Sequence, residues 1–323
     1  MADYLVMTGA LRARALLPVL VTAVVASVLS GGIAWSQAGR GVTAPAPSIV
    51  VPVERVSGVF FARVSLNGKG PFWFTVDTGA THTVIDPSAA RRLGLRVVDE
   101  GGSLSVGIGP GTTPMATTHG VTVRVGRAGR FAPHRMFVVP VADAAQAFGH
   151  AIDGVIGTDF LGQYVVEFDY RAGRLVLHDA VRFQYRGAAT PVPIRLDGAR
   201  PLVRVLVTLA DGTIFNTQML VDTGSTARSS FNGPLVNKFG LQRFPSLGMT
   251  ASLGVNGLTA ASVIRLGSLA VGDVVFERPE LAIPTTTAGL NADLSFGGML
   301  TPDLLGSGRL ILDYPARRLV LER

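Results

Sequence analysis

Two aspartates, Asp77 and Asp222, each open an Asp-Thr-Gly triplet, and the triplets stand 145 positions apart. One such triplet is ordinarily a turn, its Asp accepting local backbone N–H groups and its Gly supplying a permissive backbone. Here each copy directly follows an apolar run, Phe72 to Val76 and Gln218 to Val221, which would deliver both carboxylates onto loops resting on a core. Two carboxylates held about 3 Å apart cannot both ionise easily, so they share a proton and titrate as a pair. The charged member can take a proton from water while the neutral member protonates a carbonyl oxygen. An amide is then hydrolysed with neither a metal nor a covalent intermediate. Thr78 and Thr223 are placed to hydrogen-bond across the pair, and Gly79 and Gly224 let backbone N–H groups approach the carboxylates. Ser225 follows the second triplet where Ala80 follows the first. A hydroxyl is therefore expected to stabilise ionised Asp222, with no such help for Asp77.

The elements that must position these loops are written twice. Gly154 to Asp179 aligns without a gap on Gly298 to Arg323, with Asp159, Gly162, Asp169, Tyr170 and Arg174 among the positions matched by identical residues. Such self-similarity is the signature of a repeated unit. Within each copy, alternating runs (Val59 to Leu66, Leu202 to Leu209) precede Asn67-Gly68 and Asp211-Gly212, which suit hairpin turns. Further strands are expected at Val121 to Val125, Met136 to Val139, Val165 to Phe168 and Arg174 to Leu177. Short helices are expected at Pro87 to Gly94 and Pro234 to Gly240, and Asp159 and Asp303 are expected to cap two helical turns. The fold class is all-β with short helices, in two homologous lobes, 49–186 and 187–323.

Composition narrows the chemistry. The 323 residues are 48% apolar and only 16% charged, which excludes a disordered chain. With no cysteine, disulfides, thiolate metal sites and Cys nucleophiles are excluded. The five histidines lie far apart with no paired metal spacing, so no metal and no cofactor are expected. No Gly-x-Ser-x-Gly supplies a serine nucleophile. A net charge of +7 raises nucleic acid as a partner, but the arginines are scattered and not interleaved with aromatics, so none is expected. Arg12 and Arg14 precede an uncharged stretch from Ala15 to Trp35 that ends near Ser36-Gln37-Ala38. The segment 1–38 reads as a secretory signal cleaved after Ala38, or as an uncleaved anchor crossing a membrane through 15–35. Either way the body is expected outside the cytoplasm, joined by a linker over 39–48.

The paired motifs, Phe74-Thr75-Val76-Asp77-Thr78-Gly79-Ala80 with Val155-Ile156-Gly157, and Met219-Leu220-Val221-Asp222-Thr223-Gly224-Ser225, resemble those of aspartic proteases of the retropepsin and pepsin group. The resemblance implies two acid-protease-like β-barrel lobes related by pseudo-twofold symmetry, with Asp77 and Asp222 as the catalytic pair in the cleft between them. It implies a peptide or protein substrate, and a monomer, because one chain holds both aspartates. It also asks for a flap closing over substrate: Gly107, Ile108 and Gly109 offer one, and Gly254 and Val255 a second, one-flap and two-flap arrangements both remaining open. Two departures stand in the second lobe. Thr301 occupies the place of Gly157, leaving Phe296-Gly297-Gly298 as an alternative alignment, and Arg228 and Ser229 stand against Thr83 and Val84. An arginine there must reach solvent or a carboxylate. The rival reading is a catalytically silent peptide-binding module that keeps the fold.

Overall fold

A computed structural model describes residues 48–104, 107, 111–128, 130–142, 145–254 and 257–323. The segment 1–38, most of the linker, and the flap candidates Ile108, Gly109 and Val255 lie outside the described residues. Ser48, assigned to the linker from sequence, instead opens a strand, Ser48–Val51, paired antiparallel with Arg174–His178.

The protein is mostly β, built on two sheets. Strand Val59–Leu66 buries nearly every residue because it is covered on both faces. Asn67 and Gly68 both take positive φ (50° and 76°), the geometry of a tight hairpin whose twist matches its strands, and the chain returns as Lys69–Val76. In the C-terminal half, Arg200–Thr208 pairs with Ile214–Val221 through a longer loop containing Asp211-Gly212. Each return strand ends at its Asp-Thr-Gly.

Behind each aspartate a short parallel strand supports the loop. Gly154–Ile156 runs beside Lys69–Val76, with Ile156 opposite Val76, and the Asp77 N–H donates to the Ile156 carbonyl at 3.0 Å. Gly298–Leu300 runs beside Ile214–Val221, with Leu300 opposite Val221, and the Asp222 N–H donates to the Leu300 carbonyl at 2.9 Å. The ungapped alignment is therefore the structural one, and Phe296-Gly297-Gly298 is not the equivalent element.

Helices Pro87–Leu93 and Gly233–Phe239 follow the loops. Asp86 and Asn232 cap their N-termini, accepting from the N–H groups of Ser88 and Leu235, and Gly94 and Gly240 end them with φ of 68° and 59°. Strand Val165–Asp169 pairs with Arg309–Asp313, joining the two halves in one sheet beneath the loops. One apolar core runs through both halves and includes Phe60, Phe74, Phe168, Val203, Phe231 and Leu312.

Candidate active site

The two Asp-Thr-Gly loops meet and are locked by four reciprocal hydrogen bonds. Thr78 Oγ1 donates to the Val221 carbonyl (2.5 Å) and accepts from the Thr223 N–H (3.1 Å). Thr223 Oγ1 donates to the Val76 carbonyl (2.9 Å) and accepts from the Thr78 N–H (3.2 Å). Both threonines are buried, at 0% and 1% exposure. Each hydroxyl thus satisfies two buried backbone groups of the opposite half.

This lock sets the carboxylates side by side. The Cβ position at Gly79 is 3.0 Å from Asp222 Cγ and 3.1 Å from Asp77 Oδ1, and that at Gly224 is 2.6 Å from both Cβ and Oδ2 of Asp77. Each glycine therefore faces the other half's aspartate; Gly224 has no room for a side chain, and one at Gly79 would have to push its neighbours aside by a few tenths of an ångström. Gly224→Ala is expected to force the carboxylates apart. Peptide turnover should drop at least about a hundredfold, the scale of losing a positioned acid–base group, while circular dichroism still reports the folded sheets.

The electrostatics are asymmetric, in the opposite sense from that expected from Ser225. The Asp77 carboxylate accepts from the N–H groups of both Gly79 (2.7 Å) and Ala80 (3.2 Å), whereas Asp222 accepts from Gly224 alone of its own loop (3.0 Å). Ser225 Oγ turns away and accepts from the Ala227 N–H at 3.1 Å. Burial raises the pKa of Asp77, and these hydrogen bonds oppose it. Asp222, only 9% exposed, is pushed well above the usual carboxylate range by burial and then by the negative charge of Asp77, with the Gly224 N–H and Arg200 opposing. Burial thus favours the neutral form of both carboxyls, most strongly that of Asp222.

Arg200 is a departure that sequence pairing alone conceals. In the first half the corresponding hairpin pairs Val56 with Val59; in the second it pairs Asp197 with Arg200. Arg200 is 8% exposed and bonded to Asp197 and, at 3.5 Å, to Asp293.

Behind the loops, Asp159 accepts the first-turn N–H of Phe160 (2.9 Å), as expected, and it also accepts from the N–H of Thr83 (2.9 Å) and from its hydroxyl (2.7 Å). Asp303 grips Ser229 in the same way, from the N–H (3.0 Å) and hydroxyl (2.5 Å). The partner of Thr83 across the halves is thus Ser229, one place earlier than the sequence pairing of Ser229 with Val84. Arg228 then corresponds to His82, and its guanidinium reaches Glu280 at 3.2 Å. The Cβ position at Gly157 would lie 2.5 Å from the His82 carbonyl oxygen, so the first half requires glycine. Thr301 fits in the second half because its hydroxyl donates to the Ala227 carbonyl (2.6 Å) and its N–H to Ser229 Oγ (2.9 Å).

Two buried tyrosines belong to no catalytic motif, although both lie in the aligned repeat. Tyr170 and Tyr314 are 2% and 5% exposed, and their hydroxyls have no partner among the described residues. Burial raises both phenol pKa values, and the nearby charge of Asp222 (for Tyr170) and of Asp77 (for Tyr314) raises them further. Both remain neutral beside the pair.

Both flap candidates sit on hairpins. Val98–Leu104 pairs with Thr113–Thr118, and the Gly107 carbonyl in their connection accepts from the Leu290 N–H of the other half at 3.1 Å. Met249–Gly254 pairs with Gly257–Arg265, Gly254 lying opposite Gly257. Among the described residues no group of three His, Asp or Glu side chains could hold a metal ion.

Residues 62–160 match the family model of the aspartyl proteases. This part of the chain is similar to an aspartyl protease. The matched span contains the first Asp-Thr-Gly and Val155-Ile156-Gly157 and ends before the second triplet. No curated protein matches the chain.

Proposed function

We propose that the chain is an exported aspartic endopeptidase that hydrolyses peptide bonds through the Asp77/Asp222 pair. The observation that carries this reading is the reciprocal threonine lock, which presents two carboxylates to one another from separate halves of the chain. The aspartyl-protease-like span supports the same chemistry. In this reading the two halves are copies of one unit about an approximate twofold axis, and the monomer is complete because both carboxylates lie in one chain.

The roles follow from the asymmetry. Asp77, with two N–H donors on one oxygen, is the ionised base that takes a proton from water as the water attacks the scissile carbonyl. Asp222, the raised member, donates its proton to the carbonyl oxygen. The resulting tetrahedral diol collapses as Asp77 gives its proton to the leaving nitrogen and Asp222 takes the proton of one diol hydroxyl, breaking the C–N bond and restoring the pair. The hairpin carrying Gly107, and a second one carrying Gly254, close over the substrate and exclude water. Arg12 and Arg14, ahead of the apolar stretch, support a catalytic body outside the cytoplasm in this reading.

Incubating the full chain with an unfolded protein at acidic pH tests the assignment. New termini within the substrate are expected. An intact substrate across the acid range would leave only the silent binding module.

Arg200 makes the assignment of the proton testable. Its positive charge favours ionised Asp222, so Arg200→Met should raise that pKa further and carry the basic limb of the pH–rate profile to higher pH. Ser225→Ala should leave both limbs in place, because its hydroxyl does not touch the carboxylate.

A further inference from the structure

The active site leaves one feature of the chain unused: its excess of positive charge. No Asp or Glu occurs from Arg55 to Val76, nor from Gly101 to Ala142, although these stretches carry Arg63, Lys69, Arg124, Arg127 and Arg130. The fold gathers those five. Strands Val59–Leu66, Val123–Val125 and Arg130–Phe131 are neighbours, with Ser65 opposite Arg124 and Arg124 opposite Arg130. Val64, Leu66, Val123 and Val125 point into the core, and all five cations are exposed. Arg63, Lys69 and Arg124 line an open groove together with Ser65, Gly68 and Gly126.

Counter-charge is scarce on this face. Glu54 stands 3.7 Å from Arg63 and is itself half exposed. Lys69, Arg124, Arg127 and Arg130 have no ion-pair partner among the described residues. Two arginines directly opposed across a strand pair repel one another and weaken the sheet. A bound anionic surface would relieve that repulsion.

The chain's path indicates which surface. After the first strand, Val51 and Pro52 pass the turn between the two arginine-bearing strands: a Cβ at Gly126 would stand 3.8 Å from the Val51 γ-methyls and 3.9 Å from Pro52 Cδ. The N-terminal segment joins the fold at Ser48, opposite His178, and the strand it opens ends at Val51 beside this face. Twelve residues, 36–47, separate the apolar stretch 15–35 from the first strand, a reach of at most about 40 Å. A body tethered by that stretch would carry its cationic face within reach of the headgroups.

We infer that the face formed by Arg63, Lys69, Arg124, Arg127 and Arg130 seats on anionic phospholipid headgroups, orienting the body on the membrane that its N-terminal segment enters. The inference rests on the uncleaved-anchor reading of 1–38 and is independent of the carboxylate chemistry. Each basic side chain near an anionic leaflet strengthens association about fivefold, with a range set by the ionic strength.

The test uses the full chain in nanodiscs of phosphatidylcholine alone, or with a third of phosphatidylglycerol, and follows amide hydrogen exchange. Exchange across residues 62–72 and 121–131 is expected to slow at least about fivefold on the anionic discs, the effect of a single seated charge. High salt should abolish the protection. An R124Q/R127Q/R130Q variant should lose it while keeping its thermal midpoint and peptide turnover, and an R124K/R127K/R130K variant should retain it. Equal exchange on the two discs would overturn the inference, as would protection that survives salt or the glutamine substitutions. Stronger protection of the same face by heparin or duplex DNA, at equal anion concentration, would also overturn it by assigning the face to another class of partner.

Discussion

Asp77→Asn and Asp222→Asn should each reduce peptide hydrolysis by at least about 10⁴-fold, measured as kcat/KM on a peptide cleaved by the wild type. A positioned acid or base contributes about 10²- to 10⁴-fold, and here each carboxyl serves in more than one proton transfer. The two substitutions act on one unit, so the double variant should be hardly worse than either single one. Stability should move the other way. The fold holds the Asp222 carboxyl well above its ordinary value of 3.8, through burial and the neighbouring charge of Asp77. Below that ordinary value the carboxyl is neutral whether the chain is folded or not, and the stabilisation of the neutral form is fully present. As pH rises through the raised native pKa, that stabilisation is lost, because the unfolded chain ionises freely and the folded one does so at a cost. Asp222→Asn carries no charge to bury. Its thermal midpoint should match the wild type in strong acid and exceed it at neutral pH. A midpoint below the wild type at neutral pH would mean that Asp222 is a stabilising anion, contrary to the role given to it here.

The second large effect belongs to the threonines. Thr78→Val keeps the shape of the side chain but leaves the Val221 carbonyl and the Thr223 N–H buried without partners. Each unsatisfied group costs about 1–3 kcal/mol, so the loss is about 2–6 kcal/mol, a large part of the about 5–15 kcal/mol that holds a typical domain together. Thr223→Val strands the Val76 carbonyl and the Thr78 N–H in the same way. Chemical denaturation should show losses of similar size for the two, and the double variant should depart from additivity because the four bonds form one network. Thr78→Ser, which retains the hydroxyl, should keep most of the stability and most of the turnover. If Thr78→Val melted like the wild type, the lock would not be what holds the halves in register.

Much of this arrangement can be read from residue types alone. Asn67-Gly68 announces a hairpin because few other pairs accept two successive positive φ values, and the chain turns there. Pro87 and Pro234 with following glycines bound two helices whose caps match their residue types. The threonine lock was legible because a hydroxyl after each aspartate is the one nearby group able to reach the opposite backbone. What escaped depends on side-chain direction and on contacts distant in sequence. Ser225 offers a hydroxyl beside Asp222, but its backbone turns that hydroxyl onto the Ala227 N–H. Asp159 and Asp303 do accept the first-turn N–H groups of Phe160 and Leu304, but they also grip Thr83 and Ser229, some seventy positions upstream. That grip shifts the second-half register by one and seats Thr301 where the first half tolerates only glycine. Arg200 replaces a core valine at the equivalent hairpin position, a change visible only once Asp197 and Asp293 are folded around it.

The pH dependence of kcat/KM for one peptide substrate, with wild type beside Asp77→Asn and Asp222→Asn, tests the shared-proton pair most directly. The account predicts a bell in the acid range for the wild type, its rising limb reporting ionisation of Asp77 and its falling limb ionisation of Asp222 as the pair titrates, and no measurable bell in either variant. A rate that climbs through neutral pH on a single ionisation, or a bell that survives in Asp222→Asn, would contradict it.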